Sequence, residues 1–353
     1  MRARETMSEQ TKGGVSRALV IGDGSWGTTL ARELCGNGIA TTLWSAFPEQ
    51  TERLREAREN EAFLPGVSLP EAMSFSADPH SAAQGADVVV SVVPTQYLRG
   101  VAERFEDALP GDLPLVSATK GLEVETFQTP SQILAEVLGG RPLCVLTGPS
   151  HAEEVARGLP ASLVAASADA ALAERVQGAF SSETLRVYTT DDMLGAELAA
   201  ALKNVIALAA GIADGLGLGD NAKAALLTRG MVEMARLGKF LGARPQTFFG
   251  LAGFGDLVTT CYSSHSRNRS VGEAVGRGER LEEILQSMQM VAEGVWTTKA
   301  LFGPEAELRA VSMPIAEQVH AILFEGKEPR DGLLALMRRE PTGEMSGLEE
   351  PVS

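Results

Sequence analysis

Short apolar runs alternate with amphipathic stretches through the first half of the chain. A run over 17–21 ends on a glycine cluster, a helical pattern follows over 28–37, and a second run covers 41–44. Further runs lie at 87–93, 115–119, 143–146, 162–166 and 186–189, most of them separated by helical patterns such as 98–108 and 130–138. Strands alternating with helices predict an α/β fold: a Rossmann-like, mostly parallel, doubly wound sheet whose last strands are antiparallel additions at an edge.

Beyond Thr190 the pattern changes. No strand pattern appears from Asp191 onward, only long Ala-, Leu- and Met-rich helical stretches broken by glycine loops. This predicts a dinucleotide-binding domain over 17–190 followed by an all-α substrate domain over 191–339. The segment 198–212 is apolar at every position except Lys203 and Asn204. It is too short and too polar at its centre to span a bilayer, so a buried core helix is predicted, with a lysine and an asparagine inside the protein. Residues 1–16 are polar and contain no hydrophobic segment of the kind a signal peptide needs. Residues 340–353 are rich in proline, glycine and glutamate. Both ends are expected to be disordered, one as an extension and one as a tail.

Composition narrows the chemistry. The 353 residues fit two domains, and a net charge of -15 argues against nucleic acid or anionic membrane surfaces as partners. A phosphate-bearing substrate would then need a local basic cluster. The three cysteines (Cys35, Cys144, Cys261) form no close pair, and the four histidines (His80, His151, His265, His320) have no ligand spacing. Metal-free chemistry in a reducing cytoplasm is the expectation.

The stretch Gly22-Asp23-Gly24-Ser25-Trp26-Gly27 follows the first predicted strand and opens a helix. The first glycine permits the tight turn, the second lets a pyrophosphate approach the backbone, and the third lets helix pack on strand. A glycine-rich turn without a ligand is the alternative, and the strand-before, helix-after context argues against it. At the end of the second strand the usual acid for the ribose of NAD is missing. Trp44 is followed by Ser45, Ala46 and Phe47, with no arginine for a 2′-phosphate either. NAD and NADP therefore both stand as cofactors. Phe47 could stack on adenine in either, and Arg53 and Arg55 are the only near cations on the next helix. Discrimination under roughly a hundredfold, about 2.7 kcal/mol, is expected.

Three strand ends carry further polar chemistry: Val93-Pro94-Thr95-Gln96, Thr119-Lys120-Gly121 and Thr147-Gly148-Pro149-Ser150. Each alone is ordinary turn chemistry; together at one sheet edge they suggest a cleft. In the helical half Lys203 stands out, because buried lysines usually have a partner or a function and burial lowers their pKa toward a general base's range. A glycine-rich loop over 250–256 ends in Asp256, and Ser266-Arg267-Asn268-Arg269 offers guanidinium and helix-terminal amides to an anion.

These motifs together resemble the bacterial-type NAD(P)-dependent glycerol-3-phosphate dehydrogenase family, over about residues 17–337. The fingerprint through Thr28, Asn60 with Phe63-Leu64-Pro65, Val93-Pro94, Thr119-Lys120-Gly121 and Gly148-Pro149-Ser150-His151-Ala152-Glu153 carry the resemblance. Lys203-Asn204, 251–257, 266–269, Glu293-Gly294 and Met313-Pro314-Ile315 complete it. The resemblance implies interconversion of sn-glycerol 3-phosphate and dihydroxyacetone phosphate, supplying glycerol 3-phosphate for phospholipid synthesis. Lys203 would accept the C2 hydroxyl proton and Lys120 would polarise the oxygen. Asp256 would orient both, with Asn204 and Thr260 nearby. Gly148, Ser150 and Ala152 would line the substrate site, and Ser266, Arg267 and Asn268 would hold the phosphate. Gly22, Gly24, Ser25, Trp26 and Gly27 would meet the cofactor's pyrophosphate side, and Val291 and Glu293 its nicotinamide side, with Lys120, Ala152 and Arg267 also in reach. Two lysines so close would favour a neutral Lys203 near pH 7. Helical halves of this kind pair as homodimers. Two departures stand out: family members commonly carry a basic residue after the tryptophan where Ser45-Ala46-Phe47 stands, and Phe254 replaces a usual leucine. Two rival readings share the plan, a β-hydroxy acid dehydrogenase and a non-catalytic dinucleotide sensor. The phosphate cluster speaks against the first, and Lys120, Lys203 and Asp256 together speak against the second.

Overall fold

The computed structural model describes residues 12–288, 290–304, 306 and 311–348. Eight strands form the main sheet: β1 (Arg17–Ile21), β2 (Ala40–Trp44), β5 (Ser74–Ser76), β6 (Val88–Ser91), β7 (Leu115–Ser117), β8 (Leu143–Thr147), β9 (Ala161–Ala166) and β10 (Leu185–Thr190). The remaining two, β3 (Glu59–Asn60) and β4 (Leu64–Ser68), make a separate antiparallel pair. The main sheet runs β10-β9-β8-β7-β6-β1-β2-β5. All its pairings are parallel except β8 with β9, so β9 and β10 form a reversed edge, as the sequence suggests. Alternation of side chains sorts the two faces: Leu19, Trp44 and Val89 pack on one side, and Val20, Leu43 and Val90 on the other. Because helices cover both faces, β6 is apolar at three successive buried positions, Val88, Val89 and Val90. Strand order reverses between β6 and β1, and a crevice opens there beyond the strands' carboxyl ends.

Some local expectations shift. The first helix begins at Ser25 rather than 28, because the fingerprint turn feeds straight into it with Gly24 at the N-cap position. The helix expected over 98–108 is Thr95–Glu103, followed by open turns. Residues 12–16, assigned to a disordered extension by composition, hold a 3₁₀ turn (Lys12–Gly14), and Val15 is buried. Residues 1–11 of that extension and 349–353 of the tail lie outside the described residues. Part of the tail, 340–348, is tied down: Arg236 donates to the Ser346 carbonyl at 2.7 Å, and Leu348 packs on the helical core.

The strands stop at Thr190, and from Met193 onward the described residues hold helices and turns. Met193–Gly215 is the central helix, buried at every position from Gly195 to Ala213. Among the described residues it is the one helix long and apolar enough to cross a membrane, and 94% of its most apolar window is covered by protein. Helices Gly219–Phe240, Asp256–Tyr262, Arg267–Gly276, Glu293–Leu301 and Pro314–Phe324 surround it. Its crossing with Arg267–Gly276 is paved by glycine. A Cβ on Gly211 would lie 2.0 Å from the Arg269 carbonyl oxygen, and one on Gly272 would lie 2.1 Å from that of Leu208. Backbone therefore meets backbone there.

Two buried carboxylates cap helices in neighbouring layers. Glu197 accepts from the Ser131 N–H at 2.8 Å, joining the central helix to Pro130–Leu138 of the sheet half. Glu233 accepts from the N–H groups of Ile315 (2.9 Å) and Ala316 (2.8 Å) at the start of Pro314–Phe324.

Candidate active site

A cleft of about 610 Å³ follows the carboxyl ends of β1, β2 and β6 and runs into the helical half. At its sheet end the fingerprint fits a dinucleotide. Gly22 has φ 111°, and a Cβ on Gly27 would fall 1.9 Å from the Gly22 carbonyl oxygen. A Cβ on Gly24 would meet nothing within 4 Å, which leaves the open space a pyrophosphate needs beside the first turn of Ser25–Gly36. Ser25 is buried, and Trp26 presents a buried indole N–H without a partner. The residues after β2 carry no acid, as the sequence reads, but an acid from another element stands beside them. Ser45 donates to an Asp23 carboxylate oxygen at 2.9 Å, so a carboxylate from the fingerprint turn reaches the spot that β2 itself leaves neutral.

Deeper in the cleft, three charged side chains from different elements converge. Lys203, on the central helix, donates to the Thr260 hydroxyl at 2.6 Å and lies 3.0 Å from the Asp256 carboxylate. Lys120, after β7, donates to the other Asp256 oxygen at 2.7 Å and to the Gly148 carbonyl at 3.0 Å. Thr260 donates to Asp256 at 3.2 Å, one turn along the helix that Asp256 opens. Burial pushes the Lys203 pKa down to about 8, with Lys120 acting the same way and Asp256 opposing both. The two lysines hold the Asp256 carboxyl below the usual carboxylate range despite its burial. Burial and Lys120 thus push Lys203 toward the neutral amine, the direction the sequence predicts, while Asp256 opposes them.

At the far end, Ser266 caps the helix Arg267–Gly276 by accepting from the Arg269 N–H. Arg267 stands exposed in the cleft and donates to the Val291 carbonyl at 2.7 Å. Asn268 donates to Asn204 at 2.9 Å and accepts from the Gly294 N–H at 2.8 Å, which leaves one amide hydrogen free of these bonds. Arg269, the other arginine of the cluster, turns away to Asp214 at 2.7 Å. Ser150 donates to the Gly148 carbonyl at 3.0 Å, and the Ala152 carbonyl accepts from Thr29. Glu293 reaches across to the sheet half and accepts from the Thr95 N–H at 2.9 Å; burial pushes its pKa up to about 7.

All the expected site residues line this cleft or bond directly to side chains that do. Sequence reading missed Asp23 with Ser45, and also His151 and His265, whose rings sit 5.9 Å apart in the cleft. Burial, with Lys203 next, lowers the His151 pKa, so its imidazole sits neutral beside the lysines. The sequence did hold one clue to Asp23: an acid between two fingerprint glycines. A wider hollow of about 800 Å³ opens behind Ser150 and His151, but the converging cations lie outside it.

Family comparison divides the chain at the same place as the fold. Residues 17–173 match the N-terminal and residues 192–333 the C-terminal family description of NAD-dependent glycerol-3-phosphate dehydrogenase. The chain is 47% identical over 329 residues to the glycerol-3-phosphate dehydrogenase (NAD(P)+) of Chlorobium phaeobacteroides (strain BS1), covering 92% of this chain and 98% of that one. It is 50% identical over 329 residues to the enzyme so named from Syntrophotalea carbinolica, with the same coverage. The crystal structure of glycerol-3-phosphate dehydrogenase from Coxiella burnetii superposes with a TM-score of 0.88 at 35% identity, over 92% of this chain and 99% of that one.

Proposed function

The chain belongs to the NAD-dependent glycerol-3-phosphate dehydrogenase family, and from that premise we propose how its residues divide the reaction. It is an oxidoreductase that interconverts sn-glycerol 3-phosphate and dihydroxyacetone phosphate with NAD or NADP. The nicotinamide supplies the hydride acceptor in one direction and the donor in the other.

One observation carries the assignment of roles: the Asp256 carboxylate bridges Lys203 at 3.0 Å and Lys120 at 2.7 Å. In oxidation, neutral Lys203 accepts the C2 hydroxyl proton; in reduction, protonated Lys203 returns it. Lys120 stabilises the oxygen as charge develops on it, held in place by Asp256 and the Gly148 carbonyl. Thr260 keeps the Lys203 ammonium aimed. Arg267, Ser266 and the free amide hydrogen of Asn268, at a helix N-terminus, grip the phosphate, and the Asn204–Asn268 bond ties that grip to the residue next to Lys203. Gly148, Ser150 and Ala152 form the wall opposite. Gly22, Gly24, Ser25, Trp26 and Gly27 hold the pyrophosphate, with Val291 and Glu293 toward the nicotinamide. The working units are a dinucleotide domain over 17–190 and a substrate domain over 191–339.

We place the enzyme in the cytoplasm, where its three free thiols (Cys35, Cys144 and Cys261) stay reduced and its product feeds phospholipid assembly. We also propose a homodimer, supported by exposed apolar side chains on neighbouring C-terminal helices: Phe324, Leu334 and Met337. Sedimentation of the purified chain tests the dimer. The function itself is tested by reduction of dihydroxyacetone phosphate in parent and Lys203→Met enzymes. Turnover in the parent that the substitution does not slow would refute the assigned roles.

A further inference from the structure

The adenosine end of the cleft is built around a carboxylate that comes from an unexpected element. In doubly wound dinucleotide folds the ribose hydroxyls lie at the end of β2, where an acid on that strand binds them. Here β2 is followed by Ser45-Ala46-Phe47, and Asp23 of the turn after β1 stands beside Ser45 instead. Its place is fixed by several bonds. The Gly22 N–H donates to the Trp44 carbonyl at 3.0 Å, fastening the turn to the end of β2. The Asp23 carbonyl accepts from Asn60 at 2.7 Å and from Thr28 at 3.2 Å. Ser45, itself 1% exposed, donates its hydroxyl to the carboxylate and accepts from the Phe47 N–H at 3.2 Å.

Among the described residues no other side chain donates to the Asp23 carboxylate, and Asp23 lines the cleft together with Phe47. The cations that line the cleft, Lys120, Lys203 and Arg267, all belong to its substrate end. Arg104 stacks over the Trp44 ring at 4.7 Å and does not line the cleft. A 2′-phosphate in this place would meet a carboxylate and no counter-ion.

We propose that Asp23, held by Ser45, accepts the adenosine ribose hydroxyls and excludes a 2′-phosphate, so that this enzyme selects NADH over NADPH. The inference rests on the dinucleotide reading of the cleft. It also revises the expectation of weak discrimination, which assumed that only the residues following β2 could read the ribose. Like charges juxtaposed across an interface suppress the wrong partner strongly.

Calorimetric titration of the full-length protein with NADH, NADPH, ADP-ribose and 2′-phospho-ADP-ribose tests this without turnover. The parent is expected to bind NADH more than about a hundredfold tighter than NADPH, and the two fragments should show the same ratio. Asp23→Ala should bring the ratio below about tenfold, chiefly by strengthening NADPH, with Asp23→Asn between the two. Ser45→Ala should weaken NADH without strengthening NADPH comparably, and Arg104→Ala should leave the ratio alone. A parent that binds both dinucleotides within about tenfold overturns the inference and leaves the cleft assignment standing. So does an Asp23→Ala protein that keeps the parental ratio. Failure to bind either nucleotide overturns both.

Discussion

Three influences meet on the Lys203 nitrogen. Burial disfavours its charge, Lys120 repels it, and Asp256 at 3.0 Å opposes both, leaving a pKa of about 8. A group poised there can give a proton in one direction and take it in the other within the physiological range. The pH dependence should therefore invert with direction. Reduction of dihydroxyacetone phosphate needs the ammonium, and its kcat/KM should fall as pH rises through about 8; oxidation of glycerol 3-phosphate needs the amine and should rise over the same interval. Parallel profiles in the two directions would assign that titration to some other group. Lys203→Met should slow both directions by about 10²–10⁴-fold with cofactor affinity nearly unchanged, and a loss under about tenfold would remove Lys203 from proton transfer.

Elements are held in place by a few polar contacts as well as by apolar packing. Glu233, itself buried, gives both carboxylate oxygens to the first turn of Pro314–Phe324. Glu233→Ala leaves two buried N–H groups without an acceptor and should cost about 2–4 kcal/mol in denaturant unfolding. A change below about 0.5 kcal/mol would show that the helix start re-forms its cap elsewhere. Burial raises the Glu233 pKa to about 7 from 4.5, so the folded state holds its proton longer than the unfolded chain does. This contribution is fully present below about pH 4.5 and is lost as pH rises through about 7; the alanine variant should lack that slope. Elements with strong periodicity were legible in the sequence, including the continuous apolar strand β6 and the core helix with its interior lysine. The short strand β5, with Phe75 as its one apolar residue, and the β3–β4 pair, interrupted by Pro65 and Gly66, carry too few apolar positions to show a period. The site was legible where a motif kept its residues adjacent, as in Lys203-Asn204. The Asp23 carboxylate was not, because it meets Ser45 just past the end of β2, 22 residues away in the sequence.

Across the whole molecule, a chain of net charge -15 must admit an anionic substrate. Three cations meet in one cleft, Lys120 from the sheet half and Lys203 and Arg267 from the helical half, and the Lys120–Asp256 bond spans the two. Long-range repulsion is screened beyond about 10 Å at ordinary ionic strength, whereas the cleft acts at contact distance. Arg267→Ala should therefore raise the KM for dihydroxyacetone phosphate by about 10–100-fold. Its effect on an unphosphorylated analogue, already a poor substrate, should be much smaller. Equal losses on both substrates would show that Arg267 does not contact the phosphate.

The bare crossing at Gly211 and Gly272 gives the enzyme a ruler. At these glycines the helix bearing Lys203 and the helix bearing Arg267 meet backbone to backbone, with no glycine Cβ to hold them apart. On the proposed roles, the span from proton acceptor to phosphate grip would be held constant by this joint, and two carbons separate the carbinol oxygen from the phosphate ester oxygen of the substrate. A homologue with one more methylene in that interval can seat its phosphate or its hydroxyl, but not both, and should bind yet turn over slowly. Gly272→Ala would force the helices apart at this joint, lengthening the ruler, and should erode the preference between the two chain lengths.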